Sequence, residues 1–329
     1  MSSKPRAVVV GGGFGRNCAR ALAHPGSPVE LAAIVGRGGP RSTALAQELG
    51  VPVWSSAELE NQPLDLAVVA VRFAIIGGMG DSISASLLSR GVAVIQGLPM
   101  HSTSVIELLR QARRGTTVFH PSAFYDRLAT TRRFTSHAID LRKRVGFENV
   151  LVRTCCQTLH DALLVLSGFM AGPPPRDARV TNRRGHARVD LDWAGVPVDI
   201  QVGNRMDTRD PDAHSQPLMA FVVSTSEGEL ELGHVHGPTV FMPMVPSTTD
   251  DLDPDAPVAV VHGEELLTGQ LLGKLWPEAI HSTVKELLAG KQSFGQRELA
   301  TLKLWEKISP QLASPLRIGS DETTSGNLP

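Results

Sequence analysis

From Ala7 to Phe119, short apolar runs rich in β-branched residues alternate with stretches of helical spacing. The runs AVVV (Ala7–Val10), VELAAIV (Val29–Val35), LDLAVVAV (Leu64–Val71) and GVAVIQ (Gly91–Gln96) hold few polar side chains. A strand reads this way when helices cover both faces of its sheet, so the runs predict parallel strands joined by crossover helices. Helices are expected over residues 16–23, 42–49, 79–89 and 104–113, and TTVF (Thr116–Phe119) predicts one more strand. Tyr125–Arg144 reads as a helix with a basic outer face. Past Gly146 the period changes to two, at ENVLVRT, ARVDLDW, PVDIQVG, MAFVVST and GELELGH. Such alternation predicts antiparallel strands with one face covered and one open. An apolar helix over Thr158–Met170 interrupts them and stops at Gly172 and three prolines. Two late helices are expected near residues 264–289 and 297–308, and a Ser/Gly-rich tail from Ser314 is expected to be mobile.

A chain of 329 residues exceeds the size one core serves well. Two domains follow, cut at 121/122: a parallel-sheet domain over 1–121 and an α+β domain with an open, mainly antiparallel sheet over 122–329. Composition adds exclusions. With 42% hydrophobic and 20% charged residues and a net charge of −1, the chain lacks the basic excess that a nucleic-acid partner requires. No apolar run approaches the roughly 18 residues of a membrane span. The basic lead MSSKPR runs straight into a strand pattern, so no signal peptide is expected and a cytoplasmic location is. Cys18, Cys155 and Cys156 give neither a disulfide framework nor a metal spacing. His234 and His236 share a face of an extended strand, but no third ligand accompanies them, so no metal is expected.

The chemistry concentrates at the first strand's end. VVVGGGFGRNCARAL sets Gly11, Gly12, Gly13, Phe14 and Gly15 between a buried strand and a helix, where a pyrophosphate approaches the backbone and the positive helix end. The glycine spacing departs from G-x-G-x-x-G in either register, yet its place at the head of a βαβ pattern points to a dinucleotide. The first domain is therefore expected to be a Rossmann fold, a doubly wound α/β sheet. An NAD-selective fold ends the second strand with an acid that holds the ribose hydroxyls. Here Gly36 and Arg37 stand at that point, followed by Arg41 and Ser42. Arginines suit a 2′-phosphate, which favours NADPH.

Further motifs follow in order along the chain: the Val10–Gly15 turn, VAVR (Val69–Arg72), GVAVIQ with its proline loop (Gly91–Pro99) and AFY (Ala123–Tyr125). They continue with LHDALLVLSG (Leu159–Gly168), HGP (His236–Pro238) and LWEKI (Leu304–Ile308). On this ordered set the chain resembles the thiazolinyl imine reductases of siderophore biosynthesis, a branch of the glucose-fructose oxidoreductase and inositol dehydrogenase superfamily. The resemblance implies NADPH-dependent reduction of a thiazoline to a thiazolidine on an intermediate tethered to a nonribosomal peptide synthetase carrier domain, and a homodimer. It also implies that Val71, Arg72 and Pro99 border the cofactor. Where the superfamily carries Glu-Lys-Pro and the branch Glu-His-Pro-Leu-His, this chain reads Gly97-Leu98-Pro99-Met100-His101. Leu98 cannot transfer a proton, which leaves His101. The branch's Phe-Tyr-Pro-His is represented by Phe124 and Tyr125, with Asp126 and Arg127 in place of Pro-His. Tyr125 is thus the first candidate proton donor and His101 the second, and Asp161 matches an acid near the substrate. Two other readings compete: a sugar or cyclitol dehydrogenase of the same superfamily, and a cofactor-binding sensor or scaffold without catalysis.

Overall fold

A computed structural model of the chain describes residues 3–71, 79–207, 218–245, 253–291 and 294–318. It divides into two compact units. One comprises Met1–Arg132 with Glu265–Lys303, and the other Arg133–Glu264 with Leu304–Pro329.

The first unit opens with β1 (Arg6–Val10), α1 (Gly15–Ala23), β2 (Glu30–Val35), α2 (Pro40–Leu49), β3 (Val53–Trp54) and α3 (Ser56–Glu60). It continues with β4 (Leu66–Val69), α4 (Gly80–Ser89), β5 (Ala93–Gly97), α5 (Ser102–Arg114) and β6 (Phe119–Ser122). The six strands form a parallel sheet in the order β3-β2-β1-β4-β5-β6. Every residue of β4 is buried, as expected of a central strand with helices on both faces. The order reverses beside β1, and ligands of open parallel sheets bind at the strands' carboxyl ends near such a switch. A single turn of 3-10 helix at Tyr125–Arg127 precedes α6 (Ala129–Val145), which runs on into the second unit. The helix expected over 125–144 is therefore two pieces, because Leu128 takes an extended backbone (ψ 140°) between them.

The second unit holds β7 (Asn149–Cys155), α7 (Leu159–Phe169), β8 (Arg179–Arg183), β9 (His186–Trp193), β10 (Val196–Gly203) and β11 (Arg205–Asp207). Then come β12 (Met219–Thr225), β13 (Gly228–Leu232), β14 (Thr239–Pro243) and β15 (Val260–His262). Eight of these strands form one sheet, β15-β14-β13-β12-β7-β10-β9-β8, antiparallel throughout except between β7 and β10. Phe134 of α6, Phe169 of α7 and Phe221 of β12 pack ring against ring under it, with centroids 5.5–6.1 Å apart.

Later, α8 (Thr268–Gln270), a π-helical turn (Leu271–Leu275) and α9 (Trp276–Leu288) belong to the first unit, while α10 (Gln296–Ile308) passes from first to second. Ile280, Val284 and Leu287 of α9 join Ala19 and Leu22 of α1 in one buried cluster, and His281 Nε2 lies 2.7 Å from the Ala21 carbonyl. The compact units thus divide the chain differently from a single cut at 121/122. The apolar face of α1 has to be covered, and a distant segment returns to cover it.

Two expectations are corrected. The tail from Ser314 is not wholly mobile: Leu316–Ile318 forms β16, paired in parallel with β11. His234 and His236 lie in a turn beyond β13 rather than on a strand, with ring centroids 5.0 Å apart. No helix among the described residues is long and apolar enough to cross a membrane.

Candidate active site

The turn after β1 is fixed by backbone geometry. Gly11 takes φ +105°, and its N–H donates to the Val35 carbonyl of β2 at 3.0 Å. A Cβ there would stand 2.6 Å from the Ala70 carbonyl oxygen and 2.8 Å from Val71 Cγ1, so only glycine serves. Gly15 plays another part: a Cβ there would stand 3.2 Å from both Ala70 Cβ and Val9 Cγ1, so its absence lets the start of α1 lie close against the sheet. Gly12, Gly13 and Phe14 form the partly exposed mouth between these anchors. The turn closes when Arg16 N–H donates to the Gly13 carbonyl and Asn17 N–H to that of Phe14. No acidic residue occupies the first turn of α1, which leaves the amides of the helix start to an anion. This cradle, which a Cβ would fill, fits a dinucleotide pyrophosphate.

At the end of β2, Gly36 is partly buried while Arg37 and Arg41 are exposed. Ser42 is buried, and its Oγ donates to the Gly39 carbonyl at 2.9 Å. Its side chain stands 3.5 Å from where a Gly36 Cβ would be and 3.8 Å from the corresponding point on Gly12. The serine therefore spans the gap between the glycine turn and the end of β2, and the exposed Arg37 and Arg41 belong to the same β2–α2 connection and helix start. Arg72 lies outside the described residues.

Beyond β5, Gly97 pairs in register with Ser122 of β6, and Leu98 N–H donates to the Ser122 carbonyl at 3.0 Å. Leu98 and Pro99 are partly exposed and joined by a cis peptide, Met100 is buried, and His101 is exposed at the N-cap of α5. Tyr125, three residues beyond Ser122, is buried. His101 and Tyr125 thus leave the same edge of the sheet as the glycine turn. Tyr125 packs edge-on against Phe124, at 5.1 Å, and Phe124 packs against both Trp276 of α9 and Phe14 of the glycine turn, at 5.3 and 5.5 Å. An aromatic chain therefore couples the glycine turn to the tyrosine's turn.

Charge surrounds the next residues. Arg127 pairs with Glu286 of α9, and burial, opposed by this guanidinium and outweighed by it, leaves Glu286 below the usual carboxylate range. His120 of β6 is buried nearby, and burial, reinforced by Arg127, pushes it down to about 4. Sequence reasoning noted Asp126 and Arg127 only as departures from a pattern, and it passed over His120 and Glu286. Nothing in the sequence brings Glu286 to Arg127, because only the return of α9 joins them.

In the second unit, Asp161 is buried in the first turn of α7. His160 beside it is buried as well, edge-on to Trp305, and burial pushes it down to about 4. Neither is a solvated helix residue. Among the described residues no group of three or more His, Cys, Asp or Glu side chains is placed to hold a metal ion.

Residues 5–122 match the GFO/IDH/MocA oxidoreductase family, NAD-binding Rossmann fold. The match covers the six-stranded parallel sheet, β1 to β6, and ends there. GFO/IDH/MocA proteins are oxidoreductases, and the cofactor class of the cradle is a nicotinamide dinucleotide. No curated protein matches the sequence. Solved structures share the fold over almost the whole chain. GenD2 from gentamicin A biosynthesis, in complex with NAD, is 17% identical, with TM-score 0.68 and 93% of each chain covered. The myo-inositol 2-dehydrogenase of Lactobacillus plantarum is 14% identical, with TM-score 0.69 and 94% and 97% covered. The biliverdin reductase of Synechocystis sp. PCC 6803, in complex with biliverdin and NADP+, is 13% identical, with TM-score 0.66 and 94% and 99% covered.

Proposed function

We propose that the chain is an NADPH-dependent reductase of a carbon–nitrogen double bond, converting a thiazoline to a thiazolidine on a carrier-protein-tethered, siderophore-type intermediate. The observation that carries this reading is the pairing of an apolar Leu98 with a buried Tyr125 at the ends of adjacent strands. Oxidising a secondary alcohol needs a base beside the hydroxyl, whereas reducing an imine needs an acid beside the nitrogen. Leu98 fills the position of the superfamily's lysine with a side chain that cannot accept a proton, and Tyr125 offers a hydroxyl that donates one. Bound at the cradle, NADPH supplies the hydride for the ring carbon. Gly11, Gly12, Gly13, Phe14 and Gly15 hold its pyrophosphate, Val71 and Pro99 border it, and Arg37, Arg41 and Ser42 take the 2′-phosphate. Tyr125 delivers the proton to the ring nitrogen, His101 is the alternative donor, and Asp161 orients the substrate. The same reading supplies a carrier domain as the substrate's bearer, a second copy of the chain on the open sheet face, and the cytoplasm as the location.

Titration with NADPH and NADH, followed by absorbance loss on a thiazolinyl thioester, tests this. Replacing both Arg37 and Arg41 by Ala should weaken NADPH binding about tenfold or more and leave NADH binding unchanged, since each charge-assisted bond is worth roughly 1.5–3 kcal/mol. Tyr125→Phe should lower turnover by about 10²–10⁴ with NADPH affinity retained. Turnover of sugars or cyclitols instead would select the dehydrogenase reading, which the likeness to myo-inositol 2-dehydrogenase favours. Tight NADPH binding with no turnover of any of these would select the sensor.

A further inference from the structure

Tyr125, Asp126 and Arg127 make one turn of 3-10 helix, closed by the Arg127 N–H donating to the Phe124 carbonyl at 3.2 Å. Charged groups reach this turn from four elements. Glu286 of α9 holds Arg127, and His120 of β6 is buried near that pair. Arg132 comes from α6, and Arg297 and Glu298 from the first turns of α10, bonded to each other at 2.7 Å.

Asp126 is poorly served among them. Its Oδ2 lies 3.8 Å from Arg127 Nε, near enough for attraction but too far for a hydrogen bond. Its Oδ1 is buried and has no hydrogen-bond partner among the described residues, although 27% of the side chain reaches solvent. A buried carboxylate oxygen without a donor is unfavourable, and taking up a proton relieves it. Arg127 is consequently shared unequally: Glu286 holds it closely, and Asp126 draws on it from the other side only when ionised.

We infer that Asp126 is a positioning residue for Tyr125, its ionisation redistributing Arg127 between Glu286 and Asp126 and so shifting the turn that carries the tyrosine. Burial is the largest influence on the Asp126 carboxyl and lifts it to about 6, against the pull of Arg127, Arg132 and Arg297 and with a small push from Glu298. Glu286 stays ionised across that range, and His120, lowered to about 4, stays neutral. Asp126 is thus the member of the cluster that changes charge between about pH 5 and pH 7. The inference goes beyond the reductase reading, because it concerns the turn itself and not the substrate.

The chain has a single tyrosine, so protein labelled with 13C at tyrosine Cζ gives one resonance to follow. In the wild type that resonance should move with a midpoint near pH 6, and in Asp126→Asn it should stay flat through the same range. Arg127→Lys, which loses the planar fork but keeps the charge, should move the midpoint upward rather than abolish it. A flat resonance in the wild type overturns the inference, and so does an unchanged transition in Asp126→Asn or an unmoved midpoint in Arg127→Lys. Turnover against pH supplies a separate readout. If thiazoline is reduced, the inflection near pH 6 should vanish in Asp126→Asn, and its persistence would count against the inference. Absence of thiazoline turnover sinks the reductase reading alone, and the resonance still decides the role of Asp126.

Discussion

Asp126 carries a stability cost whose sign follows from its surroundings. The carboxyl titrates near 3.9 in an unfolded chain and at about 6 here. A raised folded value means that the favourable contribution is complete below the unfolded value and is lost as pH rises through the folded one. At pH 7.5 the group therefore opposes folding, and at pH 4 it does not. Asp126→Asn should stabilise the protein by about 1–3 kcal/mol at pH 7.5 and by close to nothing at pH 4. Urea unfolding midpoints at the two pH values measure this, and an equal effect at both would contradict it. Little of the behaviour is legible along the sequence. Gly11 announces itself through its neighbours, because a strand followed by glycines and a helix needs a left-handed residue and a close backbone approach. Asp126 does not, because the charges of Arg297 and Glu298 that act on it come from a distant helix that only the fold brings near.

At the scale of elements, the parallel strands were readable because β1 and β4 are apolar along almost their whole length, and β9 and β13 because they alternate. What escaped has physical causes. Two residues of β3 are too few to establish a period. The single helix expected over 264–289 begins irregularly, since glycines at 269 and 273 favour no regular helix and Leu271–Leu275 adopts a π-helical turn before Pro277 sets the start of α9. The pairing of β16 with β11 is non-local and leaves no periodic trace. For α9, periodicity showed a buried face but not its partner. Leu287 is 2% exposed within the cluster that includes α1, so Leu287→Ala should cost about 2–5 kcal/mol. A drop in the denaturation midpoint with the slope unchanged would show this, and a cost below about 1 kcal/mol would mean that α9 is not integral to that core.

Over the whole molecule, the chain leaves the nucleotide-binding unit after Arg132, returns at Glu265 and leaves again after Lys303. Sequence patterns revealed two kinds of sheet, hence two domains, but not this return, which depends on an apolar match between α1 and α9. Cooperative opening follows packing rather than position in the chain. Backbone amides of α9 should therefore exchange with solvent deuterium as slowly as those of β1 and β4, and saturating NADPH should slow all three together. Exchange of α9 in step with β9 and β10 instead would place it with the other unit.

The return of α9 also bears on how such a protein can be rebuilt by recombination. A crossover that imports a foreign nucleotide-binding domain at a single breakpoint near residue 121 would bring in an α1 whose apolar face was shaped for a different late helix. The mismatch would fall on Ile280, Val284 and Leu287, inherited from the other parent. Chimeras exchanged as two blocks, with the 265–303 segment travelling alongside the N-terminal one, keep that fit. Viable exchanges in the laboratory, and in evolution, should be those that respect this paired inheritance.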